Sequence, residues 1–204
     1  MYNTLMICLP CDFYLGPAPE IARALLGMRL VRIIDGTRLS GRILETEAYS
    51  GEEDAACHAR FGLTKRNAVM YGPPGRAYIY FTYGMHWCLN TVTGAEGSPA
   101  AVLVRAILPL EGLETISANR KGVPERNWTD GPAKLCKALE IDGSLYAAIL
   151  CSDGSPLRIE QDAEIPDENI EITPRIGIQY APEPWLSMPW RYRVIRLKGL
   201  QNEH

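Results

Sequence analysis

Glu45, Glu47 and Tyr49 alternate in the run Gly41-Arg-Ile-Leu-Glu-Thr-Glu-Ala-Tyr49. Residues two apart in a strand share a face, so two carboxyls and a phenol stand side by side. Beside the apolar Ile43 and Leu44, that face is either a solvated surface or a place where a carboxylate takes a proton from water. His58 follows in Glu52-Glu-Asp-Ala-Ala-Cys-His58, near enough to fold back beside Glu47 through a loop, although a structural histidine is the plainer reading. No second His or Cys stands at zinc-ligand spacing from it, so no metal is expected. Tyr78 and Tyr80 share a strand face, and Tyr78 reads as core. Tyr83 precedes Gly84, and a turn there would present its ring outward, free to stack between bases or to fill the gap an extruded base leaves. Arg105 ends the apolar run Val102-Leu-Val, as either a buried ion-pair partner or a site residue.

The elements that must position these groups follow from periodicity. Residues 19–26, closed by Gly27, read as a short helix with Pro19 in its first turn. Residues 28–34 and 39–47 read as two strands joined by an Asp35-Gly36 hairpin turn. Residues 50–65 are polar and glycine-bearing, a loop or a helix with loops. Further strands are predicted over 77–83, 100–108, 157–159, 170–172, 176–179 and 192–197, and a second helix over 130–139. Short strands joined by turns, with few helices, predict an α+β fold: a single domain with a mostly antiparallel curved sheet and short surrounding helices. The expected domain is 1–204, with residues 1–12 and 199–204 as tails.

Composition narrows the function. The 47% apolar content supports a sizeable core. Ten Tyr against three Phe favours surfaces that stack and hydrogen-bond at once. A formal net charge of −3 gives no global attraction to nucleic acid. A DNA partner would require the basic groups Arg60, Lys65, Arg66 and Arg76, then Arg120, Lys121 and Arg126, then Arg191, Arg193 and Arg196, to gather on one face. The six cysteines are irregularly spaced, and Cys8-x-x-Cys11 lacks a second pair, so core or surface thiols are expected over a metal or redox motif. No secretory signal and no membrane-length apolar run is read, which predicts a reduced, intracellular protein.

The runs Gly41–Tyr49, Glu53–His58, Tyr80–Met85, Cys88–Asn90, Leu103–Gly112 and Gly131–Cys136, in this order and at this spacing, resemble the 3-methyladenine (alkyladenine) DNA glycosylase family, the type without a helix-hairpin-helix. The resemblance covers about residues 15–198. It implies base-excision repair on double-stranded DNA containing damaged purines, without a cofactor, a membrane or an obligate protein partner, by a monomer located with the DNA: cytoplasm or nucleoid in a bacterium, nucleus in a eukaryote. It implies Glu47 as general base, with Arg105 and the backbone carbonyl of Ile176 holding the attacked water. Tyr49, His58 and Tyr80 would wall the flipped base, and Asn90 would exclude the 2-amino group of guanine. Tyr83 would enter the duplex, and Thr64, Arg66, Met70 and Met85 would touch DNA. His86, Trp87 and Lys65 depart from the family's pattern.

This chemistry is self-consistent. Extruding a base costs a few kcal/mol, and stacking on aromatic rings returns about 1–3 kcal/mol per base. A carboxylate both deprotonates water and stabilises positive charge developing on the sugar. Purines alkylated at N3 or N7 are cationic, which suits an electron-rich slot and makes them good leaving groups. A binding module without catalysis and a hydrolase of free nucleosides are the competing readings. Glu47 and Arg105 oppose the first, and only the net charge favours the second.

Overall fold

The computed structural model describes residues 7–196. Its strands are β1 (Arg29–Ile34), β2 (Thr37–Ser50), β3 (Ala77–Thr82), β4 (His86–Thr93), β5 (Ala100–Glu111), β6 (Leu157–Glu160), β7 (Ile170–Thr173) and β8 (Arg191–Val194). All pair antiparallel in the order β3-β4-β5-β2-β1-β6, with β8 on β2 and β7 on β8. Three short α-helices flank this sheet: α1 (Ala18–Ala24), α2 (Leu113–Asn119) and α3 (Pro132–Ala138). The result is the α+β architecture that the strand and turn pattern predicts.

The long strand β2 organises the molecule. Its first half pairs with β1 through the Asp35-Gly36 turn, whose residues have φ of 47° and 79°. Positive φ at both central positions matches the twist of the flanking strands. Its second half exchanges β1 for β8 at Glu45–Glu47. The opposite edge follows β5 throughout, with register shifts between Ile43 and Thr46 that skip Leu44 and Arg105. Such bulges bend a strand and sharpen its twist, so the sheet curves at the level of Glu45 and Glu47. Gly41 permits the close crossing, because a Cβ there would lie 2.7 Å from Ile107 Cδ1.

Strand alternation separates two sides. Thr46 points into the core, where its hydroxyl donates to the Ala22 carbonyl of α1 at 2.7 Å. Leu25, Leu26, Leu30, Leu39, Ile43, Val102, Val104, Leu135 and Leu139 fill that core. Each fully buried Leu or Ile contributes roughly 1.5–3 kcal/mol. A smaller cluster of Cys57, Ala59, Met70, Tyr78, Val92 and Ala101 underlies the loop between β2 and β3.

Several expectations are corrected. Residues 176–179 form no strand, since Gly177 has φ 82° and breaks the extended path. Helix α2 was not predicted; its sequence buries Ile116 alone. The predicted tail 1–12 is pinned from residue 7 onward: Leu9 N–H donates to the Ile159 carbonyl at 2.9 Å, and Gln161 N–H to that of Ile7 at 2.9 Å. The tail 199–204 lies outside the described residues. The thiols are not all reduced either, because Cys11 and Cys151 form a disulfide. Cys8 is instead a buried free thiol donating to the Leu150 carbonyl at 3.4 Å, so Cys8 and Cys11 do not act as a pair.

Candidate active site

Glu47 has no exposed surface. Its Oε1 accepts the Ile176 backbone N–H at 2.7 Å. Its Oε2 accepts the Tyr49 hydroxyl at 3.0 Å and lies 3.2 Å from Arg105 Nη1. Burial pushes the Glu47 carboxyl up from its ordinary value, against the Arg105 charge and the two hydrogen bonds, which pull it down. A carboxylate raised in this way is a better proton acceptor near neutral pH. Tyr49 stays protonated, because burial and the neighbouring Glu47 raise its phenol. Desolvation opposes the Arg105 charge, but Glu47 and Glu45 more than restore it. The three predicted groups on one face of β2 therefore form a buried charged cluster rather than a solvated surface.

Arg105 and Tyr49 open onto a cavity of about 440 Å³, also lined by His58, Tyr80, Asn90, Leu103, Ile176 and Tyr180. That volume falls within the roughly 300–1,000 Å³ of small-molecule sites. The His58 and Tyr80 rings meet edge to face, 4.6 Å between centroids. His58 Nδ1 is 2.8 Å from the Tyr78 hydroxyl. Desolvation and the Arg66 and Arg60 charges lower His58 to about 4, so the ring is neutral at physiological pH. Asn90 is buried and donates to the Tyr78 carbonyl at 3.0 Å, which fixes its side chain.

The cavity mouth carries the exposed candidates. Tyr83 and Gly84 both have positive φ, 52° and 66°, at the tip of the β3–β4 hairpin, and Met85 N–H donates to the Thr82 carbonyl at 3.2 Å. This turn holds Tyr83 outward, 85% exposed, beside exposed Met85. Thr64 and Arg66 are exposed on the loop across the mouth, where Arg66 stacks 4.9 Å over Tyr80. Arg60 lies there too, between Phe61 and Tyr180. Other predicted basic groups are engaged elsewhere: Arg191 and Arg193 by Glu45 and Glu171, and Arg76 by the Ala147 carbonyl. Met70 is a correction. It is 1% exposed and lines the cavity, so it has no surface to offer a duplex.

Reading the sequence missed four residues. Tyr78 is buried as expected, but its hydroxyl orients His58. Asn67 ties the mouth loop together by donating to the His58 and Gly62 carbonyls, both at 3.0 Å. Asp54 and Arg175 form an ion pair with both side chains fully buried, and Arg175 stacks 4.8 Å under the Tyr49 ring. The signal for Arg175 was its place before Ile176.

The profile of the methylpurine-DNA glycosylase family matches residues 12–197. The chain belongs to this family. A protein of Methanocella arvoryzae with the provisional description 3-methyladenine DNA glycosylase is 48% identical over 188 residues, covering 92% of each chain. Similarly described proteins of Chlorobaculum parvum and Carboxydothermus hydrogenoformans are 47% and 46% identical, over 90% of this chain and 85% and 93% of theirs. Methylpurine-DNA glycosylases act on damaged purines in DNA. No helix among the described residues is long and apolar enough to cross a membrane.

Proposed function

We propose that the protein is a monofunctional glycosylase that extrudes an alkylated or otherwise damaged purine nucleotide from duplex DNA and hydrolyses its N-glycosidic bond. The observation that carries this reading is the fully buried Glu47, held by Tyr49, Arg105 and the Ile176 N–H, three partners that all line the aromatic cavity. Tyr49, His58 and Tyr80 wall the base, and Tyr83 fills its vacated place in the stack. Glu47 accepts a proton from water as the water oxygen bonds to C1′. The C1′–N bond breaks, and its electron pair leaves with the purine, which becomes neutral if it was cationic. The Ile176 carbonyl is proposed to hold that water, while its N–H holds Glu47. Arg105 keeps the carboxylate in place. Among the described residues no lysine lines the cavity, which favours an intact abasic site as the product over a Schiff-base adduct.

The test is release of free base from methylated, ethenoadenine- and inosine-containing duplexes by the wild type and by Glu47→Gln. The substitution keeps shape and removes basicity, so release should fall by about 10²-fold or more while lesion-DNA binding persists. Binding without release by the wild type would indicate an inactive module. Indifference to undamaged competitor duplex would indicate a nucleoside hydrolase.

A further inference from the structure

Glu45 is the second carboxylate of the cluster, and its contacts differ from those of Glu47. A single oxygen, Oε1, accepts Arg105 Nε at 2.7 Å and Arg191 Nε at 2.7 Å. Arg191 is anchored in turn by Nη1 donating to the Thr173 hydroxyl at 3.1 Å. The side chains of Glu45, Arg105 and Arg191 are 12%, 14% and 14% exposed, so solvent screens these contacts weakly. The bulge that skips Arg105 in the β2–β5 register places this arginine between the two carboxylates of β2. Its Nε edge is taken by Glu45, which leaves Nη1 to reach Glu47 at the longer distance of 3.2 Å.

An arginine free of other partners pairs with a carboxylate through two parallel N–H bonds, and such a pair strongly favours the ionised acid. A general base held that way would bind its proton too weakly to be effective. We propose that Glu45 is a positioning residue that turns Arg105 away from a two-point grip on Glu47 and so preserves the basicity of Glu47. Arg191 completes the device by balancing the charge, since two carboxylates and two guanidiniums sum to zero. This inference rests on the glycosylase reading and adds a residue to its mechanism.

The groups facing Glu47 define the expected pH response. They are Glu45 and Tyr49 on β2, Arg105 on β5, Cys88 on β4, the Ile176 N–H, and Arg191 of β8 acting through Glu45. Removing the Glu45 charge lowers the Glu47 carboxyl directly, and releasing Arg105 onto Glu47 lowers it again. Both effects have the same sign.

The experiment compares wild type, Glu47→Gln, Glu45→Gln and Glu45→Asp in single-turnover base release across pH, with lesion-DNA binding and thermal unfolding alongside. Wild type and Glu47→Gln report on the glycosylase reading by themselves. For Glu45→Gln the expected results are a plateau rate lower by about tenfold and an acid limb displaced to lower pH, which corresponds to roughly one unit. Lesion-DNA binding should stay within about twofold of wild type, because Glu45 touches no base. Glu45→Asp keeps the charge and should recover most of the position of the limb. If Glu45→Gln does not fold, Glu45→Asp alone decides, through a lower plateau with its limb displaced less than one unit toward acid. A slower rate with an unmoved limb in both variants, or rates equal to wild type, would overturn the proposal.

Discussion

The Arg175 guanidinium is pinned between the Asp54 carboxylate, at 2.5 and 3.0 Å, and the face of the Tyr49 ring, 4.8 Å from its centroid. Asp54 is itself fixed by the Ser50 and Ala56 N–H groups at 3.1 and 2.9 Å. Arg175 also donates to the Ala48 carbonyl at 2.9 Å. One buried ion pair thus joins the end of β2, the loop that carries His58, and the segment whose Ile176 N–H meets Glu47. Removing one partner leaves an uncompensated charge inside the protein. Asp54→Asn should therefore cost about 3–5 kcal/mol of stability. Urea unfolding at equilibrium measures this, and a loss below about 1 kcal/mol would mean the pair is not the joint described.

Glu47 sets the pH dependence. Its proton is held above the ordinary carboxyl range, so activity should fall on the acid side with a midpoint higher than that of an ordinary glutamate. His58, lowered to about 4, should add no limb near neutrality. Stability runs the other way. The folded state binds the Glu47 proton more tightly than the unfolded chain does, so this residue's contribution falls as pH rises through that window. Wild type should accordingly lose stability relative to Glu47→Gln as pH rises from about 4 to about 7. Thermal unfolding of both proteins at the two values checks the sign, and a difference that moves the other way with pH would contradict it.

Tyr83→Ala should lower the extruded population of an ethenoadenine duplex by roughly tenfold, the loss of one stacking contact. At 85% exposure the ring supports little of the fold, so unfolding should be nearly unchanged. Ethenoadenine fluorescence in the bound duplex reads the population. Unchanged fluorescence with slow cleavage would move Tyr83 among the groups that act on the bond.

Asn90→Ser should admit purines bearing a 2-amino group. The Asn90 amide is tethered to the Tyr78 carbonyl and cannot swing aside, so exclusion is steric. Shortening it should raise kcat/KM for guanine lesions relative to ethenoadenine by about tenfold. Single-turnover excision of 7-methylguanine and ethenoadenine by both proteins gives the ratio. An equal loss on both substrates would show that Asn90 supports the cavity generally.

Most of the sheet was legible because its strands declare themselves locally. β2 alternates at Glu45, Glu47 and Tyr49, β5 opens on a continuous apolar run, Asp35-Gly36 names its turn, and Pro132 opens α3. β4 (His86–Thr93) is the exception: the expected strands pass from 77–83 directly to 100–108 and leave it out. Helix α2 escaped notice because one buried residue makes no periodic stripe. Ile176 and Ile178 mimicked a strand until Gly177 turned the chain. On the site side, Glu45, Glu47 and Tyr49 followed from alternation, and the hairpin tip from Tyr83-Gly84. Arg175 and Asp54 did not, since a partnership across 121 residues leaves no trace in either neighbourhood. The Cys11–Cys151 link, 140 residues apart, was hidden for the same reason.

That link also divides the chain by connectivity. Residues 11 to 151 form a closed covalent ring, and Glu47, Tyr49, His58, Tyr80, Asn90 and Arg105 all belong to it. Arg175, Ile176, Tyr180 and Arg191 lie on a free arm that threads back across the ring. The arm is attached there by hydrogen bonds, ion pairs and ring contacts. The Glu47 carboxylate is thus set in a vessel whose rim is covalently closed and whose stopper is not. Peeling the arm would uncover Glu47 while the ring stayed whole, so the site has a way to come undone that is separate from global unfolding.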